Sequence, residues 1–282
     1  MEEMSYYNLN GKLIKSSENH LSINNRSFRY GEGFFETIKV KNGIIQLKEL
    51  HFERIQKSLL LLKLHLPKNF YINQIEQEIL TTLQKNKQNN LARVRINFFR
   101  SEGELFDATN HQTQILIQSF EINEAFKELN NNGLVIDIFP DAKKSCDSFS
   151  NIKSNNFLPY TMGAIWAKEN KFNDAIILNT NNNIADSCIA NVFIIKDNII
   201  YTPGLNDACV DGVMRKHIIT HLKINSIEVL EKSLTANDLE NADEVFLTNA
   251  IRRIQWVSEF RNKQFTNTYI QKINALIFNS LI

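Results

Sequence analysis

The stretch Ser150-Asn-Ile-Lys-Ser-Asn-Asn-Phe157, SNIKSNNF, sets a single lysine, Lys153, between an apolar residue and the start of a helical pattern. From Asn155 the chain runs NNFLPYTMGAIWAKENKF, in which Phe157, Leu158, Met162, Ile165 and Trp166 recur at helical spacing, with Ser154 or Asn155 as the expected N-cap. Pro159 falls in the first turn, where it is tolerated. A lysine just ahead of that turn faces the positive end of the helix dipole, which disfavours its protonated form by up to about 1 kcal/mol. Two readings are open: a lysine pointing into water, or an amine held neutral for use as a nucleophile. An ordinary lysine is neutral in about one molecule in 2,500 at pH 7, and an even mixture requires about 4.6 kcal/mol. The dipole alone cannot supply that.

Upstream of this stretch, strands and helices alternate. YYNLNGKLI and FFETIKVKNGIIQL read as β-structure, with hairpin turns at Asn10-Gly11 and Asn42-Gly43. The helical pattern KELHFERIQKSLLLLKL is expected to be closed by Pro67, and YINQIEQEILTTLQKNK repeats its apolar residues every three to four positions. The strands LARVRINFFR and TQILIQSF complete an α+β domain over 1–120. The polar stretch 121–132 reads as a linker, and 133–282 as a second domain. Its expected strands are LVIDIFP, DAIILNT, NVFIIKDNIIYT turning at Asp197-Asn198, SIEVLE and EVFLTN. Helices are expected after Lys153, after Gly212 and around TANDLENA, where Thr235 and Asp238 have capping-box spacing.

Composition narrows the function. The 282 residues carry 32 basic and 31 acidic side chains, a net charge of +1, so no long-range field favours nucleic acid or an anionic membrane. No apolar run reaches the roughly 18 residues of a membrane span and the opening lacks a signal-peptide pattern, so a cytoplasmic protein is expected. Cys146, Cys188 and Cys209 form no CxxC and read as small buried hydrophobes. His217 and His221 have the i, i+4 spacing of a helical metal clamp, but no acidic third ligand stands at HExxH spacing, and no metal is expected. The absence of GxGxxG and GxxxxGK[ST] removes the main support for Rossmann and P-loop folds.

Three polar features stand out within apolar surroundings. Lys153 is one. Asp186, in NIADSCIANVFII, is either a solvated turn residue or a buried carboxylate that needs a cation opposite. In TPGLNDACVDGVMRKHII, Gly212 and Val213 open an apolar-periodic helix whose free amides suit a phosphate, or Asp211 is simply its N-cap. Arg54 and Thr248 could each add a phosphate contact. A nucleophilic lysine, a buried acid and a phosphate cradle together meet the chemical requirements of pyridoxal 5′-phosphate (PLP).

Seven ordered motifs carry a resemblance: FRYGEGFFETIKV, HFERI, RVRINFFRSEG, NIKSNNFLPY, IADSCIANVF, YTPGLNDACVDGVMR and ADEVFLTNA. From about Asn25 to Trp256 the chain resembles the class IV aminotransferases, PLP enzymes of fold type IV that include branched-chain and D-amino-acid aminotransferases and 4-amino-4-deoxychorismate lyase. The resemblance implies an N-terminal α+β domain, a C-terminal barrel-like α/β domain, PLP in the cleft between them, and a homodimer acting on a small amino or oxo acid. It makes Lys153 the Schiff-base lysine and Arg54 the phosphate-binding arginine, with Gly212 and Val213 giving amides to the phosphate and Thr248 a further contact. Tyr30, with Arg93 or Arg95, would bind the substrate carboxylate; Arg93 and Arg95, two apart on a strand, share a face.

Two positions depart from the family pattern. Asp186 stands where the family usually has Glu opposite the pyridine nitrogen, shortening the reach by about 1.5 Å. A tyrosine that follows the lysine in branched-chain enzymes is replaced by Phe157. The expected activity is amino transfer between an amino acid and a 2-oxo acid. Ala190-Asn191, Val213-Met214-Arg215 and Asn249-Ala250 look more like the lyase branch, and a non-catalytic PLP-binding descendant is the third alternative. Asn249 and Ala250 are expected at the substrate.

Overall fold

The computed structural model describes residues 5–67, 70–106, 112–122 and 129–278. Within it the chain forms two compact units, Met1–Glu124 with Ile152–Asn156, and Ala125–Asn151 with Phe157–Ile282. Residues 123–128 of the expected 121–132 linker lie outside the described residues.

The first unit contains β1 (Tyr6–Leu9), β2 (Lys12–Lys15), α1 (Arg26–Tyr30), β3 (Phe34–Lys41), β4 (Ile44–Ile45), α2 (Lys48–Leu61), α3 (Gln74–Lys85), β5 (Leu91–Arg100) and β6 (Thr113–Glu121). Among the described residues its strands make one six-stranded antiparallel sheet in the order β2-β1-β6-β5-β3-β4. Strand alternation sorts the side chains by face. Ala92, Val94, Ile96 and Phe98 of β5 and Phe34, Ile38 and Val40 of β3 enter a core with Ile55 and Leu59 of α2 and Ile75, Ile79 and Leu83 of α3. Arg93 and Arg95 therefore stand on the opposite face, as does Phe35.

Both expected NG turns form, with Asn10, Gly11, Asn42 and Gly43 all at positive φ as two-residue hairpins require. The α2 helix stops at Leu61, well before Pro67. Lys63 adopts φ 53°, and the amides of Lys63 and Leu64 bond back to the carbonyls of Leu60 and Leu59, an end that needs no proline.

The second unit contains β7 (Leu134–Ile138), α4 (Leu158–Glu169), β8 (Asp174–Leu178), β9 (Ile184–Ser187), β10 (Asn191–Lys196), β11 (Ile199–Thr202), α5 (Val213–Ile224), β12 (Val229–Glu231), α6 (Ala236–Glu240), β13 (Glu244–Asn249), β14 (Arg253–Phe260), β15 (Lys263–Gln264) and α7 (Thr268–Phe278). Among the described residues they build a nine-stranded mixed sheet in the order β12-β11-β10-β13-β14-β7-β8-β9, with β15 on β14. The sheet curls, and the short turn after β9, where the Ser187 amide donates to the Ala190 carbonyl, brings β10 back beside it. Apolar residues from β7, β8, β9, β10, β13 and β14 fill one core with Leu239 of α6. The Asp197-Asn198 turn and the Thr235–Asp238 capping box both form.

Three local expectations need correction. The α4 helix begins at Leu158, its N-cap position is Phe157, and neither Ser154 nor Asn155 caps it. Ser154 instead bridges Phe34, and the Asn155 amide donates to the Gly33 carbonyl, so both belong to the edge of the first unit and Lys153 is not at a helix terminus. Gly212, not Asp211, is the N-cap of α5. Cys188 and Cys209 are buried, where burial lifts their thiols to about 12, but Cys146 is exposed.

Candidate active site

In the first unit Lys153 lies on a short extended segment pinned to β3. The Phe35 amide donates to the Lys153 carbonyl at 2.9 Å, and the Asn155 amide donates to the Gly33 carbonyl at 2.9 Å. Gly33 has φ 138°, and a Cβ there would meet the Phe98 carbonyl at 2.5 Å, so only glycine lets this segment approach so closely. The pinning aims the lysine at Phe35: Nζ sits 4.7 Å from the ring centroid, and the Arg95 guanidinium carbon 3.7 Å from the same centroid. Burial, and then the Arg93 charge, lower the Arg95 guanidinium from its ordinary value. A cation so placed gains from an arriving carboxylate.

The other expected carboxylate contacts go elsewhere. Arg93 covers the Phe120 ring at 4.6 Å. Tyr30, in α1, donates its hydroxyl to Glu104 at 3.2 Å, beside the Arg29–Glu104 ion pair.

Beneath the sheet, Glu36 points inward from β3 onto α2. Arg54 grips it from Nε to Oε1 and from Nη2 to Oε2, both at 2.7 Å, and His51 Nδ1 reaches Oε2 at 2.7 Å. Burial pushes the Glu36 pKa up, but the charges and hydrogen bonds of Arg54 and His51 outweigh it and hold the carboxyl at about 2. The expected phosphate arginine is thus oriented by a buried acid. His51 and Arg54, three apart on one helix face, carried that signal in HFERI.

In the second unit the expected residues converge on Asn191. Its register partner across β10 and β13 is Thr248. Its amide nitrogen donates to Asp186 Oδ1 and to the Val210 carbonyl, each at 2.8 Å. Its amide oxygen lies where a Cβ on Gly212 would be, only 1.8 Å away, so position 212 admits no side chain. Asp186, on β9, is 2% exposed and further accepts from the Tyr160 hydroxyl at 2.7 Å, the Val210 amide at 3.0 Å and Lys144 Nζ at 3.3 Å. Lys144 is the cation that a buried carboxylate calls for. Burial, followed by the Asp186 charge, drives the Tyr160 hydroxyl well above its ordinary value, which keeps it a donor.

At the start of α5 no side chain caps the helix, and its first-turn amides, from Val213 on, point toward its N-terminal end without intrahelical acceptors. The Gly212 amide itself donates to the Val210 carbonyl at 2.7 Å. Thr248 is 2% exposed, and its hydroxyl oxygen is buried without a partner among the described residues. Asn249 turns its side chain to its own loop, accepting from the amides of Ile251 and Arg252 at 3.0 and 2.9 Å, with Ala250 inside that turn. His217 and His221 lie on α5 with ring centroids 4.0 Å apart and planes tilted by 48°, His221 donating from Nδ1 to the His217 carbonyl.

A family model described as amino-transferase class IV matches residues 33–260, a span that holds Lys153, Asp186, Gly212 and Thr248 but not Tyr30. The chain belongs to the class IV aminotransferase family. It is 26% identical over 243 residues to an aminodeoxychorismate lyase of Vibrio harveyi, covering 86% of this chain and 88% of that one. It is 27% identical over 257 residues to a D-alanine aminotransferase of Bacillus licheniformis, covering 87% and 84%. A solved putative 4-amino-4-deoxychorismate lyase from Legionella pneumophila superposes with a TM-score of 0.83 at 25% identity, over 94% of this chain and 96% of that one. The α+β unit and the curled-sheet unit are consistent with the two-domain fold type IV arrangement of that family.

Class IV aminotransferases depend on PLP, and the residues here fit that group. An orphaned buried hydroxyl on Thr248, uncapped amides on α5 and a glycine with no room for a Cβ suit a phosphate. A buried carboxylate suits a protonated pyridine. Sequence reasoning missed Glu36, His51, Lys144, Tyr160 and the organising role of Asn191. No helix among the described residues is long and apolar enough to cross a membrane.

Proposed function

We propose that this class IV aminotransferase family member moves an amino group between an amino acid and a 2-oxo acid, with Lys153 as the covalent anchor of PLP and the catalytic base. The observation that supports it most is that Lys153 and Arg95 each contact the Phe35 ring. An amine and a guanidinium share one aromatic side chain, and the guanidinium suits an α-carboxylate, the group every amino acid and 2-oxo acid presents. PLP, when bound, supplies the electron sink that acidifies the α-carbon of the substrate.

The chain's own residues take the remaining tasks. Arg95 orients the substrate by its carboxylate, so that the α-hydrogen faces Lys153. Lys153 Nζ removes that proton and returns one, a general-base role worth about 10²–10⁴ in rate. When PLP is bound, Asp186 would hold its ring nitrogen, and Thr248, the Val213 amide and Arg54 are the groups that would hold its phosphate. Glu36 fixes the Arg54 fork, and Tyr160 and Asn191 fix Asp186.

A lyase reading, release of pyruvate and 4-aminobenzoate from 4-amino-4-deoxychorismate, draws support from the Vibrio harveyi relative and from the Asn191, Met214 and Arg215 positions. One experiment separates the two. Purified protein is given leucine, glutamate or D-alanine with a 2-oxo acid, and separately aminodeoxychorismate alone. Amino transfer in the first assay is expected; pyruvate from the second without any acceptor replaces this reading with the lyase. Borohydride reduction and peptide mapping are expected to find the pyridoxyl group on Lys153. Full turnover by Lys153→Ala would refute both readings.

A further inference from the structure

Asp186 is crowded at one oxygen. A carboxylate oxygen offers about two acceptor directions, yet Oδ2 faces three donors, Tyr160, the Val210 amide and Lys144, while Asn191 holds Oδ1. Three of these donors are fixed. Val210 is backbone, Asn191 is braced between the Val210 carbonyl and Gly212, and Tyr160 is buried with its ring stacked 4.5 Å from Phe157. Lys144 differs on each count. Its contact, 3.3 Å, is the longest that these four donors make as their nearest approach, and it comes from the end of a flexible chain. Its ammonium also has somewhere to go, lying 5.3 Å from the Tyr160 ring centroid on a side chain 12% exposed. Its backbone does not move with it, because the Lys144 amide donates to the Leu178 carbonyl and its own carbonyl accepts from Thr180.

We propose that Lys144 is an exchangeable stand-in for the cofactor's ring nitrogen: its ammonium occupies the cation's place beside Asp186 in the free chain and gives up that place when a protonated pyridine arrives. The inference rests on the reading of Asp186 as the ring partner. The exchange is balanced in charge and in hydrogen bonds. One N–H⁺ donor leaves the carboxylate and another takes its position, so the buried acid never stands without a cation. Lys144 thereby keeps the site ready for a cationic ring and competes with it. It acts through Asp186 and is a positioning residue.

The test compares the full-length protein without cofactor and saturated with PLP, reading thermal midpoint and the PLP dissociation constant by titration. Lys144→Met removes the competitor. The cofactor-free midpoint is expected to fall by about 2–4 °C, the saturated midpoint to move less, and PLP to bind about fivefold more tightly, the equivalent of one polar contact. Lys144→Gln, which keeps a donor but no charge, serves if the methionine variant does not fold, and the same directions are expected. Unchanged or weaker PLP binding in the folded variant, or equal loss of midpoint in both forms, overturns the proposal and makes Lys144 structural. Asp186→Asn guards the reading beneath it. Weaker PLP binding by that variant supports Asp186 as the ring partner whatever Lys144 does, and unchanged binding overturns both.

Discussion

Glu36 and Asp186 are equally hidden from solvent, at 1% and 2% exposure, yet they are held in opposite ways. Glu36 is locked by a planar guanidinium fork and an imidazole, both on the rigid α2 helix. Asp186 is held by neutral donors and one long ammonium contact. Burial therefore does not single out the acid that meets a ligand. The partner does: a bidentate arginine fixes a carboxylate in place, while a flexible lysine leaves one available.

The sharpest way to break this contrast is to remove the charge of Glu36. Glu36→Gln takes the buried carboxylate charge away from Arg54 and His51, and a loss of about 3–5 kcal/mol in denaturant unfolding is expected. The pH dependence follows in sign. Because its carboxyl is lowered from 4.5 to about 2 in the folded chain, the stability it contributes is complete above the unfolded value and is lost as pH falls through about 2. Wild type should lose about 3 kcal/mol across that window, and the glutamine variant should not.

Asp186→Asn is the matching change in the second unit. Lys144 can turn toward solvent, so the cofactor-free protein should lose only about 1–2 kcal/mol. A loss as large as that of Glu36→Gln would erase the distinction between the two acids.

The smallest stability effect is expected at Thr248. Its hydroxyl has no partner among the described residues, so Thr248→Val should stay within about 0.5 kcal/mol of wild type. PLP should nevertheless bind roughly two- to tenfold more weakly, the equivalent of one neutral hydrogen bond. Equal effects on both measurements would show that the hydroxyl serves the fold and not the phosphate.

Strands with clear alternation or marked turns were legible. LARVRINFFR forms a strand with Arg93 and Arg95 on one face as period 2 requires, and the NG and Asp197-Asn198 turns lie where local chemistry puts them. The strand Ile184–Ser187 was not legible, because all four of its residues are buried and the alternation vanishes. RIQWVSEF of β14 was passed over because its buried residues, Ile254, Val257 and Phe260, fall at every third position and not every second. Among site residues, Lys153, Asp186 and Gly212 stood out as polar or special groups in apolar surroundings. Lys144 gave no local sign: it lies 42 positions before Asp186, and its bridge to Asn179, beside the β8–β9 pair, brings the two together. Tyr160 was not singled out, since its hydroxyl acquires meaning only from the acid it meets.

The segment Ile152–Asn156 packs with the first unit although the chain on either side of it belongs to the second. A gene cut at the first apparent boundary would therefore not yield two self-sufficient halves. The N-terminal product would carry an open groove along β3, with the Phe35 amide and the Gly33 carbonyl lacking their partners and Ile152 missing from its core. The missing strip is the one that bears Lys153. The strip thus works as a splint, and on the role proposed for Lys153 it presents the reacting amine as well: the same five residues complete the edge of a domain encoded far upstream, and neither service can be removed from the chain without the other.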